Sequence, residues 1–187
     1  GRRALKSAAL DLLAALGGEA EALLTAAFDG AATMTESVAA LEALGSNGGK
    51  AFDQALARFH ARWAHNPLVV DKWFAIQAAA PRPDALARVE KLRAHADFNT
   101  ANPNRVRALA AAFAMRNPRA FHGADGGGYR FLAGLVHHID ARNPALAARL
   151  LTAFESWRRF DQGRQAHARA ALGALAGLEN LSANTRE

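Results

Sequence analysis

Four of the six prolines in this chain stand directly after an asparagine, in the pairs Asn66-Pro67, Asn102-Pro103, Asn117-Pro118 and Asn143-Pro144. An asparagine side chain can accept from the free amides of a helix's first turn. Proline at the first helical position costs no hydrogen bond, because its nitrogen would have had no intrahelical partner there. Each pair therefore predicts a helix start. Further breaks fall at Gly17-Gly18, Asp29-Gly30, Gly45 to Gly49, Pro81 to Pro83, Asn99 to Asn102 and Gly123 to Gly128. Together they divide the chain into about ten helices with short connections.

Between the breaks, apolar residues recur at helical spacing. Leu5, Ala8, Leu12 and Leu16 form one set, and Phe52, Leu56, Phe59 and Trp63 a second. Val106, Leu109 and Phe113 form a third, and Leu146, Leu150, Phe154 and Trp157 a fourth. Each set predicts one buried stripe on one helix. β-Branched residues are few and no alternating strand pattern competes, so the fold class is all-α. Short connections between helices of this length predict antiparallel pairs. The expected architecture is a superhelical array of such pairs in the armadillo/HEAT style, with a compact bundle as the second choice. No repeat of fixed length is visible, and residues 1–187 read as one domain.

Composition narrows the function. No run of apolar residues reaches the roughly 18 of a membrane helix, and the sequence begins Gly1-Arg2-Arg3 without a signal-peptide core, as a cut inside a longer chain would. The absence of cysteine removes disulfides, thiolate catalysis and zinc fingers, and fits a cytoplasmic protein. The net charge of +6 raises nucleic acid as a partner. The arginines, however, are scattered and often stand near acids, as Arg88 does to Glu90 and Arg158 to Asp161, which describes solvated helix faces. Neither a nucleic-acid nor a membrane partner is expected.

The residues offer no chemistry of their own. The seven histidines, His60, His65, His95, His122, His137, His138 and His167, include no His-Glu-x-x-His spacing, and satisfied or surface histidines are the commoner outcome. Ser7, Ser37, Ser46, Ser156 and Ser182 lack a nucleophile-elbow sequence. The run Asp125-Gly126-Gly127-Gly128 lacks the Gly-Lys-Ser/Thr ending of a phosphate loop, and reads as a tight connection before a helix carrying Tyr129 and Phe131. No catalytic, cofactor-binding or metal-ligating residue is assigned.

Three clusters stand out from generic packing. In Val70-Asp71-Lys72-Trp73-Phe74-Ala75-Ile76-Gln77-Ala78 the rings can pack while Asp71 and Lys72 stay polar. Asn102-Pro103-Asn104-Arg105-Val106-Arg107 sets two arginines in the first turns of a helix, where the dipole disfavours cations and a compensating negative group is expected. Arg149 lies among apolar and small neighbours after Asn143-Pro144, so its stem lies over the packed face or its head reaches a carboxylate. On spacing alone, caps and internal ion pairs account for all three.

Taken in order, these segments resemble the carboxy-terminal helical domain of bacterial aminopeptidase N, the alanyl aminopeptidase of the gluzincin zinc peptidases. The matching stretches begin with Gly1-Arg2-Arg3-Ala4-Leu5-Lys6, Thr33-Met34-Thr35-Glu36, Asp71-Lys72-Trp73-Phe74 with Gln77-Ala78, and Asn102-Pro103-Asn104-Arg105-Val106-Arg107. They continue through Phe121-His122 with Asp125-Gly126-Gly127-Gly128-Tyr129-Arg130-Phe131, Asn143-Pro144 with Ala147 and Arg149-Leu150, and Leu178-Glu179-Asn180-Leu181-Ser182. The resemblance implies an intact enzyme whose zinc ligands and general-base glutamate lie in an upstream catalytic domain. This domain would close over that one and restrict entry to peptides. By motif position it also implies that Arg107 and Arg149 line the substrate cavity. The sequence departs from the family pattern at Thr33, where members often have asparagine, and at Ala145, where some have glutamine. The rival reading is an independent helical scaffold for a protein or nucleic-acid partner.

Overall fold

The computed structural model describes residues 1–47 and 49–186, without the side chains of Arg2 and Arg3. Gly48, in the break read at Gly45 to Gly49, and the terminal Glu187 lie outside the described residues, as do the two arginine side chains of the opening motif. Every regular element among the described residues is helical. The chain forms two compact units, residues 1–82 and 83–187.

The first unit holds α1 (Arg2–Ala14), α2 (Glu21–Asp29), α3 (Met34–Asn47), α4 (Lys50–Trp63) and α5 (Pro67–Ala79). Its core is built from Leu24, Leu41, Leu44, Phe52, Leu56, Phe59 and Phe74, all nearly inaccessible to water. The stripe predicted on α4 is therefore inside, with Trp63 at its half-buried end. Burying each of these large side chains contributes about 1.5–3 kcal/mol. Trp73 is buried and donates its indole N–H to the Leu56 carbonyl at 3.1 Å, which ties α5 to α4. Gln77 returns to the Trp73 carbonyl one turn back.

The stripe expected on α1 is on the other side. Leu5, Leu12 and Leu16 are 73%, 75% and 59% exposed, whereas Leu10 and Ala14 are buried. Two rows of apolar residues run along this helix, and α1 lays the row ending in the small Ala14 against its neighbours. Periodicity alone does not rank two such rows.

The entry to α3 explains Thr33. The Glu36 amide donates to Thr33 Oγ1 at 3.3 Å, and Glu36 Oε2 accepts from the Thr33 and Ala32 amides at 3.2 and 3.0 Å. This reciprocal capping box satisfies first-turn donors. Lys6 adds a 3.0 Å ion pair from α1, and its hydrogen bond is the first cause holding the Glu36 carboxyl below its ordinary range.

The second unit begins with α6 (Ala85–Arg93). A helix started by Pro103 follows, as α7 (Pro103–Val106), a π turn (Arg107–Ala111) and α8 (Ala112–Arg116). Next come α9 (Pro118–Phe121), α10 (Gly127–Asp140), α11 (Pro144–Leu151), α12 (Gln162–Ala176) and α13 (Ala183–Arg186). All four asparagine–proline pairs start helices. The asparagine Oδ1 accepts from Leu68 at 3.1 Å, from Asn104 at 3.0 Å, from Ala120 at 3.4 Å and from Leu146 at 3.0 Å. The set Val106, Leu109 and Phe113 is buried, although it runs through the π turn. The set from Leu146 to Trp157 is not one helix: α11 stops at Leu151, a 3₁₀ turn covers Thr152–Phe154, and Trp157 opens a separate 3₁₀ turn, half-buried.

The start of α10 is set by three glycines. Gly126 has φ 67°, in the left-handed region that glycine enters without strain. A Cβ on Gly128 would stand 2.3 Å from the Phe121 carbonyl oxygen, so α10 passes directly against the end of α9. The run is a tight connection, as its sequence predicts.

Candidate functional site

Arg107 opens the π turn and is exposed; its guanidinium donates to Asn104 Oδ1 at 3.0 Å. The compensating group expected at this helix start is thus the neutral dipole of a neighbouring amide, and no carboxylate pairs with Arg107 among the described residues. Arg105, two positions earlier, is buried and donates to the Asp97 carbonyl. The two arginines of the motif therefore differ: Arg105 ties the helix start to the preceding loop, and Arg107 faces water.

Arg149 lies in the last turn of α11 and is exposed, where the helix dipole favours a cation. Its neighbours Leu146, Ala147 and Leu150 turn inward. Among the described residues it forms no ion pair. Arg107 and Arg149 stand on separate helices of the second unit, each with its charge open to solvent. Alone, neither has chemistry beyond donating hydrogen bonds to carboxylates or carbonyls.

The buried polar groups of this unit are structural. His122 Nδ1 and the Tyr129 hydroxyl share a 2.8 Å hydrogen bond, and the imidazole stacks on Phe160 with centroids 4.0 Å apart. Tyr129 sits edge-on to Phe121 at 5.3 Å and tilted against Phe154 at 5.4 Å. Burial, reinforced by the nearby Arg164, holds the His122 pKa below its ordinary value and keeps the ring neutral. Burial likewise raises the Tyr129 phenol. Arg164 Nε closes the network on the His122 carbonyl at 2.6 Å.

Asp140, at the end of α10, is buried and accepts from the Ser182 amide and hydroxyl, both at 2.6 Å, and from Thr185 Oγ1 at 2.5 Å. Burial opposes its ionisation, but the bonds from Ser182 and Thr185 prevail and lower its pKa. Ser182 is engaged as a tether between the end of α10 and the entry of α13. Sequence reading missed the pair, since Asp140 and Ser182 carry no spacing that links them. In the cluster from Val70 to Ala78, Trp73 and Phe74 pack edge to face at 5.1 Å. Within either unit taken by itself, no three histidine or carboxylate side chains of the described residues gather closely enough to ligate one metal ion.

Helices packed on helices, with every regular element of this type and no strand among the described residues, define an all-α protein. The chain belongs to the family described as "Domain of unknown function (DUF3458_C) ARM repeats", whose model matches residues 1–187. It is 43% identical over 188 residues to aminopeptidase N of Caulobacter vibrioides and 41% identical over 189 residues to aminopeptidase N of Escherichia coli. Both matches cover 100% of this chain and 22% of the relative, so the chain spans about a fifth of the proteins it matches. A crystal structure of Legionella pneumophila aminopeptidase A in complex with aspartic acid superposes with a TM-score of 0.83 at 36% identity, over 90% of this chain and 20% of that one. No helix among the described residues is long and apolar enough to cross a membrane.

Proposed function

We propose that residues 1–187 are the carboxy-terminal domain of a cytoplasmic zinc aminopeptidase that releases amino-terminal residues from peptides. In this reading the domain closes over the upstream catalytic domain, gates peptide entry and lines the cavity, while the zinc and its ligands belong to the catalytic domain. It carries out no catalysis alone. Whole-length similarity to aminopeptidase N supports the assignment.

The observation that carries the cavity role is the state of Arg107 and Arg149: both are exposed, and neither has an acidic partner among the described residues. A cation left unpaired beside a packed face is available to a peptide's carboxylate or backbone carbonyl. The exposed row Leu5, Leu12 and Leu16 supports a second part of the reading, because an apolar face of this kind is stabilised when another part of the polypeptide covers it.

The test is steady-state kinetics on the full-length enzyme. Arg107→Ala and Arg149→Ala should each raise KM for tripeptides and tetrapeptides several-fold and change kcat little, since they remove binding remote from the reacting bond. Wild-type kinetics in both variants would overturn the cavity role. Aminopeptidase turnover by the isolated domain would overturn its dependence on the catalytic part.

A further inference from the structure

The segment between α11 and α12 carries a cationic surface that the peptidase reading does not use. From Glu155 to Ala170 the chain has four arginines, Arg158, Arg159, Arg164 and Arg169, against two acids, Glu155 and Asp161. Asp161 is occupied: it caps α12 by accepting from the Arg164 amide at 3.1 Å and pairs with the Arg164 guanidinium. Arg158, Arg159 and Arg169 are exposed and form no ion pair among the described residues.

Two of these three cations are held in place. The Arg158 guanidinium carbon lies 5.2 Å from the Trp157 ring centroid and that of Arg169 lies 5.5 Å away, so one half-buried indole holds two guanidinium groups. The backbone beneath them is fixed as well. Gln165 donates to the carbonyls of Arg158 at 3.0 Å and Phe160 at 2.8 Å, and Phe160 is stacked on the buried His122. A guanidinium resting on a ring keeps its N–H edges free and loses less entropy when it binds, and those edges match a carboxylate.

We propose that Trp157, Arg158, Arg159 and Arg169 form a docking site for an acidic polypeptide segment, read through its aspartate and glutamate carboxylates. Charge complementarity selects the partner class. Single-stranded nucleic acid binds through phosphate contacts plus base stacking on aromatic rings, and here the indole is already shared by two guanidinium groups. Carboxylates need only the guanidinium edges. The site is independent of Arg107 and Arg149, so it stands or falls apart from the peptidase role.

Fluorescence anisotropy on the intact protein tests it, with a fluorescein-labelled deca-glutamate peptide as probe and oligo-dT of similar length as competitor. Saturable binding that weakens with salt is expected. It should weaken by about tenfold, or about 1.4 kcal/mol, in the double variant Arg158→Gln/Arg169→Gln. It should be unchanged in Arg62→Gln, which removes a guanidinium held on Trp63 in the other unit. The double variant Arg158→Lys/Arg169→Lys keeps the charge and loses the forked edge, so it should also weaken binding, and it serves where the glutamine pair does not fold. No saturable binding, equal binding by wild type and both double variants, or tighter binding of oligo-dT than of the acidic peptide would overturn the proposal.

Discussion

Ser182 reaches back to Asp140 with both its amide and its hydroxyl, each at 2.6 Å, and so fastens the entry of α13 to the end of α10. A carboxylate with three donors in a buried site gains from each, because hydrogen bonds to an ionised group contribute about 1.5–3 kcal/mol apiece. Asp140→Ala should therefore destabilise the second unit by about 3 kcal/mol, read as a lower denaturation midpoint. Ser182→Ala keeps the amide bond and should cost about 1 kcal/mol. The Asp140 pKa is lowered on folding, so its contribution is present above the ordinary carboxylate value of 3.8 and is lost as pH falls through the folded value. Equal stability of Asp140→Ala and wild type would contradict the tether.

His122 gives a second pH dependence at higher pH. Its folded pKa lies below the ordinary 6.5, so the unfolded chain takes up a proton that the folded chain refuses. Stability should fall as pH drops through about 6.5 and continue falling until the folded value is reached. His122→Gln can keep a hydrogen bond to Tyr129 but does not titrate. Between about pH 7 and about pH 5, Tm should drop more in wild type than in this variant. Parallel Tm profiles would exclude His122 as the group responsible.

Two glycines of α10 separate packing from propensity. Gly128→Ala places a methyl 2.3 Å from the Phe121 carbonyl oxygen, where backbone would have to move, and should cost about 3 kcal/mol or prevent folding. Gly134 meets nothing within 4 Å, so Gly134→Ala should stabilise by roughly 0.5–1 kcal/mol through helix propensity. Thermal unfolding of the pair checks both signs.

The capping box gives a test in the first unit. Thr33→Ala should cost about 1 kcal/mol, whereas Thr33→Asn should be nearly neutral, since asparagine accepts the same first-turn donors. A loss in Thr33→Asn equal to that in Thr33→Ala would mean that the cap is not what Thr33 contributes.

The helix starts were legible because a cap is a local device: asparagine, proline and the amides they serve lie within four residues. The all-helical class was legible for the same reason, since each stripe on α4 or along Val106, Leu109 and Phe113 repeats at short range. The α1 face was not, because Leu5, Leu12 and Leu16 compete with Leu10 and Ala14, and only the neighbouring helices choose between them. Nor was the join of Asp140 to Ser182, or of Arg164 to the His122 carbonyl, each made across 42 residues. Arg107 and Arg149 stood out in the sequence by their neighbours, but their lack of an acidic partner among the described residues is something no spacing records.

The π turn from Arg107 to Ala111 acts as a phase shifter. Each helical residue advances the direction of the next side chain by roughly 100°, so one wide turn re-aims everything after it without changing the helix's course by much. Downstream of it, Phe113 meets Phe121 and Phe131 edge to face. A π turn holds one residue more than an α turn, so deleting a single residue here would let it close to an ordinary turn with Phe113 still facing the core. The segment is thus the one stretch of this helix where the chain could be shortened by a residue without turning its buried face outward.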